Sequence, residues 1–194
     1  MSLIAPACQD ALGDWLASLK ALSGRAEHTI TAYRGDLVEF MSFLSAYHGG
    51  AEGLVALRTV DLSDMRAWMA QVRASGAGSR SLARKLSAIK SFYRWLSERD
   101  GFDATAVLSM RAPKFQKKLP RPLVPDAARA MLDVTGLQSM TPWVSARDVA
   151  VLTLLYGCGL RISEALGLKR SDVPLPPALR ILGKGGKQRL VPVL

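Results

Sequence analysis

A chain of 194 residues, 49% of them hydrophobic, can bury one or two cores. Its 26 Lys and Arg against 16 Asp and Glu leave a net charge of +10, which points to a polyanionic partner, nucleic acid before an acidic membrane surface. Two cysteines without a pairing pattern and two histidines argue against a disulfide framework and a zinc site. The longest apolar run, 149–160, is too short for a bilayer, and no basic-then-apolar leader opens the chain, so the expected location is cytoplasmic with no membrane association.

Residues 1–108 read as a bundle of four helices. The first carries Leu12, Trp15, Leu16, Leu19 and Leu22 at helical spacing. Thr29 is the expected cap of the second, whose Ile30, Tyr33, Leu37, Phe40, Met41, Leu44 and Tyr47 share a face, and Gly49-Gly50 ends it. The third holds Leu62, Met65, Trp68, Met69 and Val72 and stops at Ser75-Gly76. The fourth is predicted from Ser79 to Asp100, with Leu82, Leu86, Ile89, Tyr93 and Leu96 as its buried stripe. Trp and Tyr at such positions read as core residues rather than as platforms for bases.

At about 100° per residue, the opposite face of this fourth helix presents Arg80, Arg84, Ser87, Ser91 and Arg94, flanked by Lys85 and Lys90. No acid interrupts that face before Glu98. A solvated face is the plain alternative. However, a solvated helix normally mixes signs to gain pairs at spacing four, and small serines between arginines admit phosphates. Arg25 is expected in a loop outside this face.

Residues 109–125 form a basic, proline-rich linker: RAPKFQKKLPRPLVP (111–125) has four prolines, with Lys114, Lys117 and Lys118 among its cations and no acid. Residues 126–194 read as a second, unfinished domain. Asp126 opens a helix that carries Ala130, Met131 and Val134; the next, from about Ser145 to Tyr156, is apolar nearly all round and is expected to be buried. Gly157 and Gly159 end it, a short helix opens at Arg161, and ALRILGKGGKQRLVPV (178–193) reads as two strands about a glycine-rich turn.

Arg161 lies where a helix N-terminus disfavours a cation. Two readings stand: it pairs with Glu164 three residues on, or it faces an anion. GKGGK (183–187) fails as a P-loop, because Gln188 and a strand follow its second lysine. It is a hairpin tip whose lysines either meet solvent or reach a phosphate.

Five segments together, HTITAYRGDL (28–37), LARKLSAIKSFYRWL (82–96), APKFQKKLP (112–120), YGCGLRISEALGL (156–168) and GKGGKQRLVPV (183–193), resemble the phage integrase-like tyrosine recombinases, within them the bacterial XerC/XerD branch. The resemblance implies a mainly α fold: a helical, SAM-like core-binding domain, then the start of an α+β catalytic domain with a β-hairpin. It implies strand cleavage through a 3′-phosphotyrosyl link with no metal and no cofactor. By motif position, Arg161 matches the first catalytic arginine, Lys184 the lysine that protonates the leaving 5′-oxygen, and Glu164 the acid supporting the arginine. The expected DNA contacts are Thr29 and Arg34; Arg80, Arg84, Lys85, Ser87, Lys90 and Arg94; Lys114, Lys117 and Lys118; and Lys187 and Arg189.

In that family HxxR, a further His or Trp and the tyrosine nucleophile follow the hairpin, whereas Tyr33, Tyr47, Tyr93 and Tyr156 all precede Lys184. Periodicity puts the first three of these in cores. The expectation is the first two thirds of a recombinase, unable to cleave by itself. The implied partners are a duplex recombination site, a second Xer-type recombinase in a tetramer on two sites, and the septal DNA translocase FtsK, in chromosome dimer resolution. A truncated relative that binds without cutting, and a phage or transposon integrase, are the alternatives.

Overall fold

The structure, a computed structural model, describes residues 4–50, 53–114, 122–183 and 186–193. The chain divides into two units, Met1–Lys117 and Lys118–Leu194. Among the described residues it is mainly helical with one two-stranded antiparallel hairpin, the fold class that the sequence predicts.

The first unit comprises α1 (Pro6–Ser23), α2 (Glu27–His48), α3 (Leu54–Arg58), α4 (Leu62–Ala74), α5 (Ser79–Asp100) and α6 (Thr105–Leu108). The chain leaves α1, α2 and α5 through Gly24, Gly49 and Gly101 at φ of 53°, 80° and 69°, a left-handed conformation that a Cβ would penalise. At the start of α4, Asp61 accepts from the Asp64 N–H at 2.9 Å while Asp64 accepts from the Asp61 N–H at 3.0 Å, a reciprocal cap. The core is aromatic. Trp15 meets Phe92 edge-on at 5.4 Å, and Phe40 meets Trp68 at 5.4 Å and Tyr93 at 6.2 Å. Such pairs add about 0.5–1.5 kcal/mol each beyond area burial. Every residue of the predicted α5 stripe is buried.

Several expectations are corrected. Thr29 is not the cap of α2. The helix begins at Glu27, and the extended Ala26 turns its carbonyl to the N–H groups of Thr29 and Ile30. Leu22 is 87% exposed and Tyr47 is 53% exposed, because each sits in the last turn of its helix, beyond the bundle's packing. Tyr47 instead stacks on Phe43 at 5.3 Å. The short α3 and α6 lie below the length at which periodicity is readable.

The second unit holds α7 (Pro125–Gln138), α8 (Pro142–Gly157), α9 (Ile162–Leu166), a 3-10 turn at Arg170–Asp172, and the strands β1 (Ala178–Leu182) and β2 (Gln188–Pro192). The strands pair from Ala178↔Pro192 to Leu182↔Gln188. Pro125, expected as part of the linker, starts α7 instead; the first turn needs no N–H from it. Leu160, Ala165, Leu179, Ile181 and Val191 make the core. The helix expected to be buried, α8, starts at Pro142 and is only half-buried, with Ser145 alone fully buried on it among the described residues. On α7, Ala130, Met131 and Val134 are exposed and Ala128 is buried instead. An apolar stripe is buried only where something lies over it. Here α7 and α9 pack on α8, and Val151, Leu154 and Leu155 reach the small core, while the rest of α8 and most of α7 stay open among the described residues.

Within the first unit, the Tyr93 hydroxyl is buried with no hydrogen-bond partner among the described residues, and burial pushes its pKa well up. An unpaired buried hydroxyl costs about 1–3 kcal/mol. Tyr93→Phe is therefore expected to hold or raise stability to chemical denaturation; a loss above about 1 kcal/mol would mean that the hydroxyl is bonded.

Candidate functional site

In the second unit, Gly159 at φ 61° reverses the chain after α8, and buried Leu160 anchors the reversal. Arg161 follows as the residue that opens α9, and its carbonyl accepts from the N–H groups of Glu164 and Ala165 at 2.9 and 3.0 Å. The Glu164 carboxylate turns back. Its Oε2 accepts from the Arg161 backbone N–H at 2.8 Å, and its Oε1 accepts from Arg161 Nη1 at 2.8 Å. Both oxygens also receive the fork of Arg189 from β2, Nη1 to Oε1 at 2.9 Å and Nη2 to Oε2 at 2.7 Å.

Four donors fill a carboxylate's acceptor capacity. The Glu164 side chain is 8% exposed, whereas that of Arg161 is 64% exposed. Two guanidiniums against one carboxylate leave one positive charge. Arg161 thus does pair with Glu164, but through a single Nη1, and most of its five donors stay outside that pair. Both readings of Arg161 are compatible with this geometry.

Sequence reasoning placed Arg189 among the expected DNA contacts and did not foresee its bond to Glu164. The signal was strand alternation. Arg189 lies on the same side of β2 as buried Val191 and opposite buried Ile181, so it points inward and needs a counter-charge. Gly183 is the other missed residue. A Cβ there would lie 3.4 Å from Arg189 Nη1 and 3.8 Å from Arg161 Nη1, so the backbone just before Lys184 runs against both guanidiniums. Lys184 itself, with Lys117 and Lys118, lies outside the described residues. Lys187 is exposed, and its carbonyl accepts from the Gly183 N–H at 2.7 Å.

In the first unit the basic face of α5 is divided. Arg84 bonds to Asp36 and Lys85 bonds to Glu39, both acids of α2. The side chains of Asp36 and Lys85 are 4% and 14% exposed. Burial raises the Asp36 pKa, and Arg84 and Lys85 pull it back. The expectation of an acid-free face holds along α5 but not across the bundle, because the acids come from a helix that periodicity within α5 cannot see. Further along, the cations are open. A cleft of about 260 Å³ is lined by Ser87, Lys90, Ser91 and Arg94 of α5, by Tyr33, and by Arg25. Arg25 therefore lies beside the basic face, not outside it, with its guanidinium 5.6 Å from the Tyr33 ring centre. Lys90 has its pKa lowered, by burial first and then by Arg94. Arg34 faces a groove between α1 and α2 instead, Thr29 is half-buried in the first turn of α2, and Arg80 and Lys114 are exposed.

The fork of Arg189, then the Arg161 N–H, hold the Glu164 pKa down to about 2. A depressed carboxylate contributes stability above its unfolded value, about 4.3, and loses it as pH falls toward 2. A carbon-detected titration of the Glu164 carboxyl is expected to give a midpoint near 2; an ordinary glutamate midpoint would mean that the fork is not formed in solution.

Residues 12–100 match the family model described as phage integrase, N-terminal SAM-like domain. The chain is 45% identical over 190 residues to the tyrosine recombinase XerC of Rhodospirillum centenum, covering 97% of this chain and 56% of that protein. It is 46% identical to the XerC of Methylobacterium nodulans, covering 98% and 60%. The fold is similar, at a TM-score of 0.60 and 18% identity, to the Tn1549 transposon integrase (residues 82–397) solved in complex with circular intermediate DNA, over 94% of this chain and 60% of that one. No helix among the described residues is long and apolar enough to cross a membrane. Over nearly its whole length the chain is similar to tyrosine recombinases, and it spans less than two thirds of the relatives it matches.

Proposed function

We propose that this chain supplies the DNA grip and the phosphate-activating arginine of a site-specific recombinase that cuts and rejoins duplex DNA through a 3′-phosphotyrosyl intermediate. The observation that carries the reading is Arg161: exposed, tethered by one Nη1, and backed by a residual positive charge, in a chain 45% identical to a XerC recombinase. In the transition state of phosphoryl transfer, charge gathers on the non-bridging oxygens, and a planar guanidinium can meet two of them. Glu164 holds that guanidinium in place. Lys184, next to Gly183 at the hairpin tip, donates the proton that the leaving 5′-oxygen needs. The cleft of Arg25, Ser87, Lys90, Ser91 and Arg94 takes backbone phosphates of the bound site, with DNA gripped by the first unit and the chemistry placed in the second. The resemblance extends the reading to chromosome dimer resolution, with a second Xer-type recombinase in a tetramer on two sites and FtsK as partners.

The chain is expected to bind duplex DNA with a log affinity that falls against log salt by about 0.9 per phosphate contact. Lys90→Glu with Arg94→Glu should flatten that slope and weaken binding more than Lys20→Glu, on the α1–α2 groove, does. Equal losses would place the DNA on another face. Arg84 is unsuited to this test, since a glutamate there would face buried Asp36.

In a longer protein that supplies the tyrosine, Arg161→Ala is expected to slow strand cleavage about a hundred- to a thousandfold, while binding loses a single contact. Lys184→Ala should slow it comparably, but a 5′-thiolate leaving group, which needs no proton, should rescue only this variant. Rescue of both, or of neither, would assign the general acid elsewhere.

A further inference from the structure

We propose that Arg189 is a positioning residue: by occupying both oxygens of Glu164 it keeps Arg161 from closing onto that carboxylate and so leaves it available to a phosphate. The proposal rests on the reading of Arg161 given above and adds to it a residue that touches no DNA.

The argument is one of acceptor sites. A carboxylate offers about four, and its strongest partner is a guanidinium that takes two in parallel. In this structure Arg189 holds that place, at 2.9 and 2.7 Å. The Arg161 backbone N–H takes a third site at 2.8 Å, and one site is left for the Arg161 side chain, met by Nη1 at 2.8 Å. Without Arg189, two sites on an 8% exposed carboxylate fall vacant, and the guanidinium already bonded to it is that of Arg161. Arg161 then takes the fork itself. Its donors turn inward, and the net charge at the site drops from +1 to zero. The loss at the phosphate comes from a residue on β2 that shares the same carboxylate.

The geometry has a second consequence. Gly183, which leads into the hairpin tip, would place a Cβ 3.4 Å from Arg189 Nη1 and 3.8 Å from Arg161 Nη1. The fork thus ties the point from which Lys184 departs to the helix that begins at Arg161.

The test is duplex binding by this chain against salt, in a mutant cycle. Arg161→Ala should lower the slope by about 0.9, the value of a single contact. Arg189→Ala should lower it by the same amount, and the double variant no further. Adding Glu164→Gln to Arg189→Ala removes the competing charge and should restore the slope, a rescue that a merely structural role would not give. Should Arg189→Ala disturb the fold by circular dichroism, Arg189→Lys serves in its place: it keeps the charge, lacks the fork and should behave alike. A summed loss of about 1.8 in the double variant would overturn the proposal by making Arg189 a phosphate contact in its own right. An unchanged slope in Arg189→Ala, or no rescue by Glu164→Gln, would overturn it too. No effect of Arg161→Ala is a different result, in which the phosphate reading of Arg161 fails and the role of Arg189 fails with it.

Discussion

One carboxylate organises the second unit. Glu164 joins the start of α9 to β2 and neutralises one of the two guanidiniums that flank it. Exposed ion pairs are generally worth about 0–1 kcal/mol, because two flexible side chains must be fixed in water. This one differs in kind. The acid is shielded, the Arg189 fork is planar and pre-organised, and a backbone N–H completes the set. The geometry is over-determined, which a site meeting a phosphate requires, since misplacement by about 1 Å costs orders of magnitude in rate. A second acid would complete the charge balance and abolish the site. In the proposed reading the surplus guanidinium is the part that meets the phosphate.

The first unit sorts its cations by the same rule. Asp36 and Glu39 on α2 take Arg84 and Lys85, so these two fasten α5 to α2. Arg25, Lys90 and Arg94 line their cleft with no acid among its residues. There the cations repel one another, and the lowered pKa of Lys90 registers both its burial and Arg94. An anion entering the cleft would relieve that repulsion, so this part of α5 is the part proposed to meet a phosphate. Net charge alone does not reveal this division, because structural and ligand-facing cations count equally in it.

What was legible in the sequence follows from the range of each signal. The four long helices of the first unit were readable because periodicity and glycine stops are local, and every residue of the predicted α5 stripe is buried, with Ala88 and Phe92 buried beside them. The antiparallel hairpin was equally plain. Illegible were facts that join distant segments: Asp36 beneath Arg84, 48 positions away, and Arg189 on Glu164, 25 positions away. Arg25 was misplaced for the same reason, since a loop residue has no periodicity and its contact with the Tyr33 ring is tertiary. In α8 the composition was read correctly but its consequence was not: an apolar helix states what it could bury, not how far its neighbours cover it.

The two units also differ in what holds them. The first has a large aromatic and aliphatic core in which Trp15, Phe40, Trp68, Phe92 and Tyr93 are each 1% exposed or less. The second gathers Leu160, Ala165, Leu179, Ile181 and Val191, while Val134, Leu137 and Trp143 remain 56%, 86% and 65% exposed. A hydrophobic core of that size supplies little beyond the entropy of ordering the chain around it. The fork of Arg189 stands beside that small core as a second tie between α9 and β2. It sits at the edge of the small core, opposite Ile181 and one position of alternation from Val191. Burial sets the strand face, the strand face aims the arginine inward, and the arginine fixes the acid on which Arg161 rests. In this unit the small core and the site are built by the same few residues.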